Sequence, residues 1–318
     1  MLFGTIQFHP QKVGGVLANR SEKLSFIVNP LAGTGGQGVL DILRKEMVDA
    51  DRSYEVFTSE YGGHAEELAR QAAERGPGTV VAVGGDGTLN EVARGILGSE
   101  SSLGLLPRGS GNAFARYANI PLKFKEACKS FLDAEYRMMD VGKVGGEIFL
   151  SSAGFGMDAE VCRRFNSRPG GRRGTMAYVL LSVDTFRSYR PTYVKVEMDG
   201  ERTFECEPHI VTVANTSQYG NGATIAPSAR ADDGVLDVCV IEDVTFLRGI
   251  WHTRRLFNGT IDQMPGVRMF QCEELRIHRE GSGWFQVDGD VREGPELAEV
   301  SVIPGAISVA VPRCRDGE

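Results

Sequence analysis

The sequence has no excess of positive charge. Its 35 Lys and Arg stand against 42 Asp and Glu, a net charge of −7 over 318 residues. A dedicated nucleic-acid binder needs a basic surface to neutralise phosphates, so nucleic acid is not an expected partner. Paired cysteine motifs are missing too. Cys128, Cys162, Cys206, Cys239, Cys272 and Cys314 lie more than thirty positions apart, which leaves no CxxC and no zinc spacing. A reduced, cytoplasmic chain is the expectation. No apolar run approaches the roughly 20 residues needed to cross a bilayer. Residues 1–20 lack a basic stretch followed by an apolar one, so they do not read as a secretory signal. The P-loop pattern GxxxxGK[ST] is also absent, which excludes a Walker-type NTPase.

What is present is ordinary for a globular chain: 42% hydrophobic and 24% charged residues. The length suggests about two domains. Glycine is abundant, at 40 residues, without a Gly-X-Y period, so it must serve loops or close backbone approach.

The first half alternates strand and helix signals. Apolar runs at Leu24–Val28, Tyr54–Phe57, Thr79–Val83 and Leu103–Leu106 read as strands. Helical spacing falls at Gln37–Met47, His64–Ala73 and Leu89–Leu97. Such alternation with short connections predicts parallel strands covered by helices. After about residue 140 strand signals follow one another: 148–152, 193–198, 210–214, 235–241, 275–278, 284–287, 300–303 and 307–311. Two helical stretches interrupt, Met176–Phe186 and Phe246–Asn258. The fold class is therefore α/β, an N-terminal parallel-sheet domain followed by a C-terminal antiparallel β-rich domain. The expected divisions are an extension at 1–22, a first domain at 23–142, a second at 143–304 and a segment at 305–318 returning to the first.

Three of the four early strands run into glycine-rich sequence that opens a helix. These are Asn29-Pro30-Leu31-Ala32-Gly33-Thr34-Gly35-Gly36, Gly84-Gly85-Asp86-Gly87-Thr88-Leu89-Asn90-Glu91 and Pro107-Arg108-Gly109-Ser110-Gly111-Asn112-Ala113. In an open α/β sheet, ligands bind beyond the C-terminal strand ends. Glycines let backbone N–H groups approach an anion, and helix N-termini add favourable partial charge. Any one loop alone is as well explained by a tight turn; three together suit a polyphosphate. Residues 33–38 also fit GxGxxG, but no acidic residue stands clearly at the end of the next strand to hold a ribose.

The stretch from Gly84 through Glu91 to Val92 resembles the nucleotide-binding signature of the diacylglycerol kinase catalytic-domain family, which includes bacterial lipid kinases and sphingosine kinases. Asn29-Pro30 with its glycines and Gly109-Ser110-Gly111-Asn112 agree with it in order. The resemblance implies a β-sandwich-like second domain and an ATP- and Mg²⁺-dependent lipid kinase. It implies that Gly84, Gly85, Asp86, Gly87, Thr88, Leu89, Asn90 and Glu91, with Asn29, Thr58, Gly109, Ser110, Asn112 and Asp288, line the nucleotide site. Asp86 is the charged side chain of the second loop and is assigned with Asp290 to catalysis. Relatives carry Asp-Gly-Glu where this chain has Asp288-Gly289-Asp290, which puts Asp290, one methylene shorter, at the proton-accepting position. Asp233 with the carbonyls of Arg230 and Val235 matches a structural Mg²⁺ site. The substrate is then a lipid met peripherally at the membrane surface, with a homodimer entertained. Arg163, Arg164, Arg168, Arg172 and Arg173 form a local basic patch that could touch anionic head groups or simply be solvated. The alternatives are an NAD kinase-type enzyme, since Gly-Gly-Asp-Gly-Thr is shared with NAD kinases and phosphofructokinases, a non-catalytic nucleotide or lipid binder, since Asp290 replaces the family Glu, and a Rossmann oxidoreductase, from the GxGxxG match.

Overall fold

A computed structural model of the protein describes residues 23–33, 36–167, 175–242 and 253–313. The first half builds β1 (Leu24–Val28), α1 (Gly36–Asp49), β2 (Tyr54–Thr58), α2 (His64–Glu74), β3 (Thr79–Gly84), α3 (Asp86–Ile96), β4 (Ser102–Pro107), α4 (Ala113–Tyr117) and α5 (Phe124–Leu132). Strands β2, β1, β3 and β4 lie side by side in parallel. All residues of β1 and β3 are buried, as apolar runs covered on both faces must be.

The chain continues through β5 (Ala134–Val144), β6 (Glu147–Phe149), β7 (Ser152–Gly156), α6 (Met157–Asn166), α7 (Thr175–Ser188), β8 (Val194–Met198), β9 (Arg202–Cys206), β10 (Ile210–Ala214), β11 (Gln218–Gly220), β12 (Ala223–Thr224) and β13 (Leu236–Ile241). Residues 253–257 are helical. Then come β14 (Val267–Cys272), β15 (Glu274–Arg279), β16 (Gly283–Val287), β17 (Asp290–Gly294) and β18 (Leu297–Pro312).

Among the described residues, one ten-stranded sheet has the path β2-β1-β3-β4-β18-β15-β8-β9, with β5 and β6 attached through β18. A second, six-stranded sheet runs β14-β13-β10-β7-β16-β17, with antiparallel pairing throughout. Val196, Leu275, Ile277 and Val300 of the large sheet pack against Phe155, Val211, Val213, Val238 and Phe285 of the small one. This is the β-sandwich-like second half. The alternation along β10 and β13 turns Ala214, Cys239 and Ile241 to the opposite face of the small sheet, where Ile225, Ile261 and Met264 meet them.

The structure departs from the sequence reading at several elements. Residues 148–152 form no single strand. The N–H groups of Leu150, Ser151 and Ser152 all turn to the Asp288 carboxylate, which separates β6 from β7. The two strands expected around Pro304-Gly305 are one, β18, with a register shift between Ile303 and Ile307. At that bulge the Gly305 N–H finds Asp140 Oδ1 at 2.7 Å. Helix α3 begins at Asp86, inside the second glycine loop rather than after it. Helix α6 was not expected. Of the helix expected at 246–258, residues 246–252 lie outside the described residues, as do Arg168, Arg172 and Arg173 of the basic patch.

Candidate functional site

The three glycine loops converge at one sheet edge. Asn29 Nδ2 donates to Thr88 Oγ1 at 3.1 Å, joining the first loop to the second. An added Cβ on Gly33 would meet Arg108 O at 2.6 Å, so the first loop abuts the third. A Cβ on Gly109 would lie 2.7 Å from Gly85 Cα, so the second and third touch backbone to backbone. Gly84 likewise leaves room for Thr88 against it. Alanine at any of these positions would collide with the backbone or side chain already packed against it, which is the physical case for glycine here.

Within this cradle the expected residues take different places. Thr58 and Ser110 are exposed and cap no helix: Gly63 precedes α2, and Asn112 precedes α4 in the left-handed region at φ 48°. Asn112 Nδ2 donates to Gly109 O at 2.8 Å, which closes the third loop on itself. Leu89 is 1% exposed, so its side chain serves the core. Glu91 Oε2 accepts from Ala65 N at 3.2 Å and ties α2 to α3. Asp86 Oδ1 accepts from Phe114 N at 3.2 Å, at the start of α4. Burial raises its carboxyl pKa, against the backbone N–H groups of Ala113, Phe114 and Asn112 that pull it down.

The second half faces the cradle through the β16–β17 turn. Asp288, at φ 47°, anchors that turn. Its carboxylate accepts from Asn90 Nδ2, Leu150 N, Ser151 N and Ser152 N at 2.8 to 3.1 Å. Burial pushes it up to about 6 in spite of these donors, which leaves it ionised at neutral pH. Asp290 projects from the other side of the turn, and a Cβ on Gly87 would stand 3.5 Å from its Oδ2. Although the residue is exposed, partial desolvation of the carboxyl raises its pKa, with Arg292 and Arg94 pulling it down and Glu147 adding to the rise. Arg94 Nη1 reaches Glu147 Oε2 at 2.8 Å, and Arg292 Nε lies 3.5 Å from Glu147 Oε1. Asp290 therefore points at the first turn of α3, between the two halves.

Beside it opens a cavity of about 440 Å³. Its rim includes Asp86, Ser110, Gly111, Asp288 and Gly289; its walls include Val161, Phe165, Phe186, Ile210, Leu256 and Met264. Val179 and Phe257 both line it and face solvent, and Leu180 beside them is 64% exposed. Within it lies an acid that the sequence reading missed. Asp158 Oδ2 accepts from Tyr219 OH at 2.5 Å, and Oδ1 from Ala159 N at 2.7 Å. Burial pushes it up to about 7, against hydrogen bonds from Tyr219, Ala159 and Gln286. Its only sequence signal was an acid among the buried positions Met157, Ala159, Val161 and Cys162.

The Asp233 turn lies apart, on the surface. Asp233 Oδ1 accepts from Val235 N at 3.3 Å, and Asp232 is held by Arg230. Asp140 Oδ2 accepts from Gly234 N at 2.8 Å and secures the turn from below. The exposed Asp233 carboxylate is a hard oxygen donor of the kind a largely hydrated Mg²⁺ takes. Among the described residues no group of three or more His, Cys, Asp or Glu forms a metal-ligating cluster, and no helix is long and apolar enough to cross a membrane.

Comparison with known proteins follows the same division. The profile of the diacylglycerol kinase catalytic domain matches residues 23–144, and that of the YegS C-terminal NAD kinase beta sandwich-like domain matches residues 151–311. A Pseudomonas aeruginosa protein named "Probable lipid kinase YegS-like" is 32% identical over 83% of this chain and 86% of its own. A Bacillus subtilis protein named diacylglycerol kinase is 29% identical over 70% and 74%. A crystal structure titled as a diacylglycerol kinase from Bacillus anthracis superposes with a TM-score of 0.71 at 21% identity, covering 91% of this chain and 97% of that one; it shares the fold.

Proposed function

Because the chain belongs to the lipid kinase family built on the diacylglycerol kinase catalytic domain, we propose that it moves the γ-phosphate of ATP onto the hydroxyl of a diacylglycerol, sphingoid or ceramide-type lipid, with Asp290 as proton acceptor. The observation that carries this reading is the apolar cavity whose polar rim adjoins the glycine cradle. Apolar surface predominates in that lining, which suits acyl chains better than a second nucleotide, as in an NAD kinase-type reaction.

The glycine loops bind and orient the triphosphate through backbone N–H groups, a positioning role that costs no side-chain ordering. Asn29, Thr58, Ser110 and Asn112 would hold the remaining nucleotide groups. Asp86 acts on the cradle by fixing the start of α4 against α3. The lipid hydroxyl, led out of the cavity, stands between Asp290 and the γ-phosphate. Its oxygen bonds to phosphorus as the bond to the ADP-bound oxygen breaks, and its proton passes to Asp290. Asp288, held by four donors, fixes the turn that presents that base. Magnesium would supply charge neutralisation on the phosphates; at the Asp233 turn, with the carbonyls of Arg230 and Val235, a second ion would serve structure. The substrate is drawn from a bilayer surface, which the exposed Val179, Leu180 and Phe257 at the cavity edge support.

The test is turnover of radiolabelled ATP against a lipid panel. Asp290→Asn should lower kcat by about 100-fold or more with little change in ATP affinity, while Asp290→Glu stays active. Equal rates for wild type and Asp290→Asn would remove Asp290 as base.

A further inference from the structure

A row of four charges runs behind Asp290, and no step of the transfer uses it. Arg94 of α3 has its Nε 2.9 Å from Glu66 Oε2 of α2 and its Nη1 2.8 Å from Glu147 Oε2 of β6. The other oxygen of Glu147 stands 3.5 Å from Arg292 Nε of β17. One carboxylate thus holds an arginine from each half of the molecule. The side chains of Arg94 and Glu147 are only 21% and 29% exposed, so solvent screens their fields less than those of a surface pair.

Register places this row beside Asp290. Asp290 and Arg292 are two residues apart on β17, hence on one face of the strand and about 7 Å apart along it. Gly87 lies under Asp290 in the first turn of α3. Arg94 is two turns further along the same helix face, about 10 Å on. Strand and helix therefore lead side by side from Asp290 to Glu147. The glycine loops lie at the other end, where α3 begins, so both arginines stand behind Asp290 rather than over the phosphates.

Their reach to Asp290 is electrostatic. Burial raises its pKa, Arg292 and Arg94 pull it back, and Glu147 adds to the rise. The other groups around it are quiet. On α6 the Cys162 thiol, which feels the Asp290 charge, is pushed up to about 12, mainly by burial, and stays neutral. Asp86 at the start of α3 and Asp288 in the turn are held by backbone N–H donors.

We infer that Glu147 is a positioning residue for the proposed base. By holding Arg94 and Arg292 to itself it keeps two cations off Asp290, and so leaves that carboxylate free to take the proton of the lipid hydroxyl. The inference rests on the reading of Asp290 as proton acceptor. An aspartate is intrinsically a weaker proton acceptor than a glutamate, so it has less basicity to lose to an uncompensated arginine.

Two measurements on the full chain separate the inference from that reading. The first is an NMR titration with carboxyl-labelled aspartate and no ATP, the Asp290 signal being identified by its loss in Asp290→Asn. Glu147→Gln should move its midpoint down by about half a pH unit, and Arg292→Gln should move it up by as much. The second is single-turnover phosphorylation of the lipid that turns over fastest in the panel. Its acid limb should shift in the same two directions, with the plateau rate of Glu147→Gln about twofold lower. A Glu147 that served structure alone would lower the rate without opposed shifts. Unmoved midpoints, or shifts of one sign in both variants, would overturn the inference. Opposed NMR shifts beside an unaltered acid limb, or a wild type idle on every lipid, would instead bring down Asp290 as base, and the inference with it.

Discussion

Asp158 keeps its proton far longer in the folded chain than in the unfolded one. Its carboxyl stands near 7 in the cavity against an ordinary value of 3.8, because burial there outweighs its hydrogen bonds. The folded state thus binds one proton more than the unfolded state between those two values. Stability must then fall as pH rises across that window. Asp288, pushed to about 6, adds to the fall in its lower part. The interval from about 6 to 7 belongs mainly to Asp158. In Asp158→Asn the drop in urea midpoint between pH 6 and 7 should largely vanish; an unaltered drop would show that Asp158 ionises normally. The same group sets a hydrogen-bonding node with Tyr219 and Gln286 in the cavity wall.

Helix α3 joins the two halves along one face. Gly87, Asn90 and Arg94 are spaced three and four residues apart and so share that face. Gly87 lies under Asp290, Asn90 Nδ2 donates to Ile148 O and Asp288 Oδ2 at 2.8 Å each, and Arg94 pairs with Glu147. Asn90→Ala removes a buried hydrogen bond to Ile148 O and a part-buried one that is among the four holding Asp288. The expected cost is about 2 kcal/mol, read as a lower urea midpoint at constant slope. Much of this half was legible beforehand: buried parallel strands announce themselves as unbroken apolar runs, and the glycine loops as dense punctuation. Other elements were hidden for physical reasons. Strands β9 and β17 lie at sheet edges and carry arginines and glutamates, so no apolar pattern marks them. The break at 150–151 depended on Asp288, far along the chain. The cavity could not be foreseen either, since Phe165, Ile210, Leu256 and Met264 meet only through antiparallel pairing and helix packing.

At the scale of the molecule, β18 belongs to both hydrophobic cores. Ala298 and Val300 pack inside the sandwich, whereas Ile307, Val309 and Val311 pack with β1, β3 and β4. Strand β5 accompanies it through both, with Val144 in one core and Met139 and Val141 in the other. Heating in a calorimeter should accordingly give one endotherm, with van't Hoff and calorimetric enthalpies in agreement; two resolved endotherms would show that the halves melt separately. There is a biosynthetic corollary. Strand β18 leaves the ribosome after every other strand described, so the nucleotide-binding half cannot complete its own sheet as it emerges. Unlike a typical tandem protein, whose leading module matures during translation, this kinase must wait for its final strand before β4 gains its neighbour on that side.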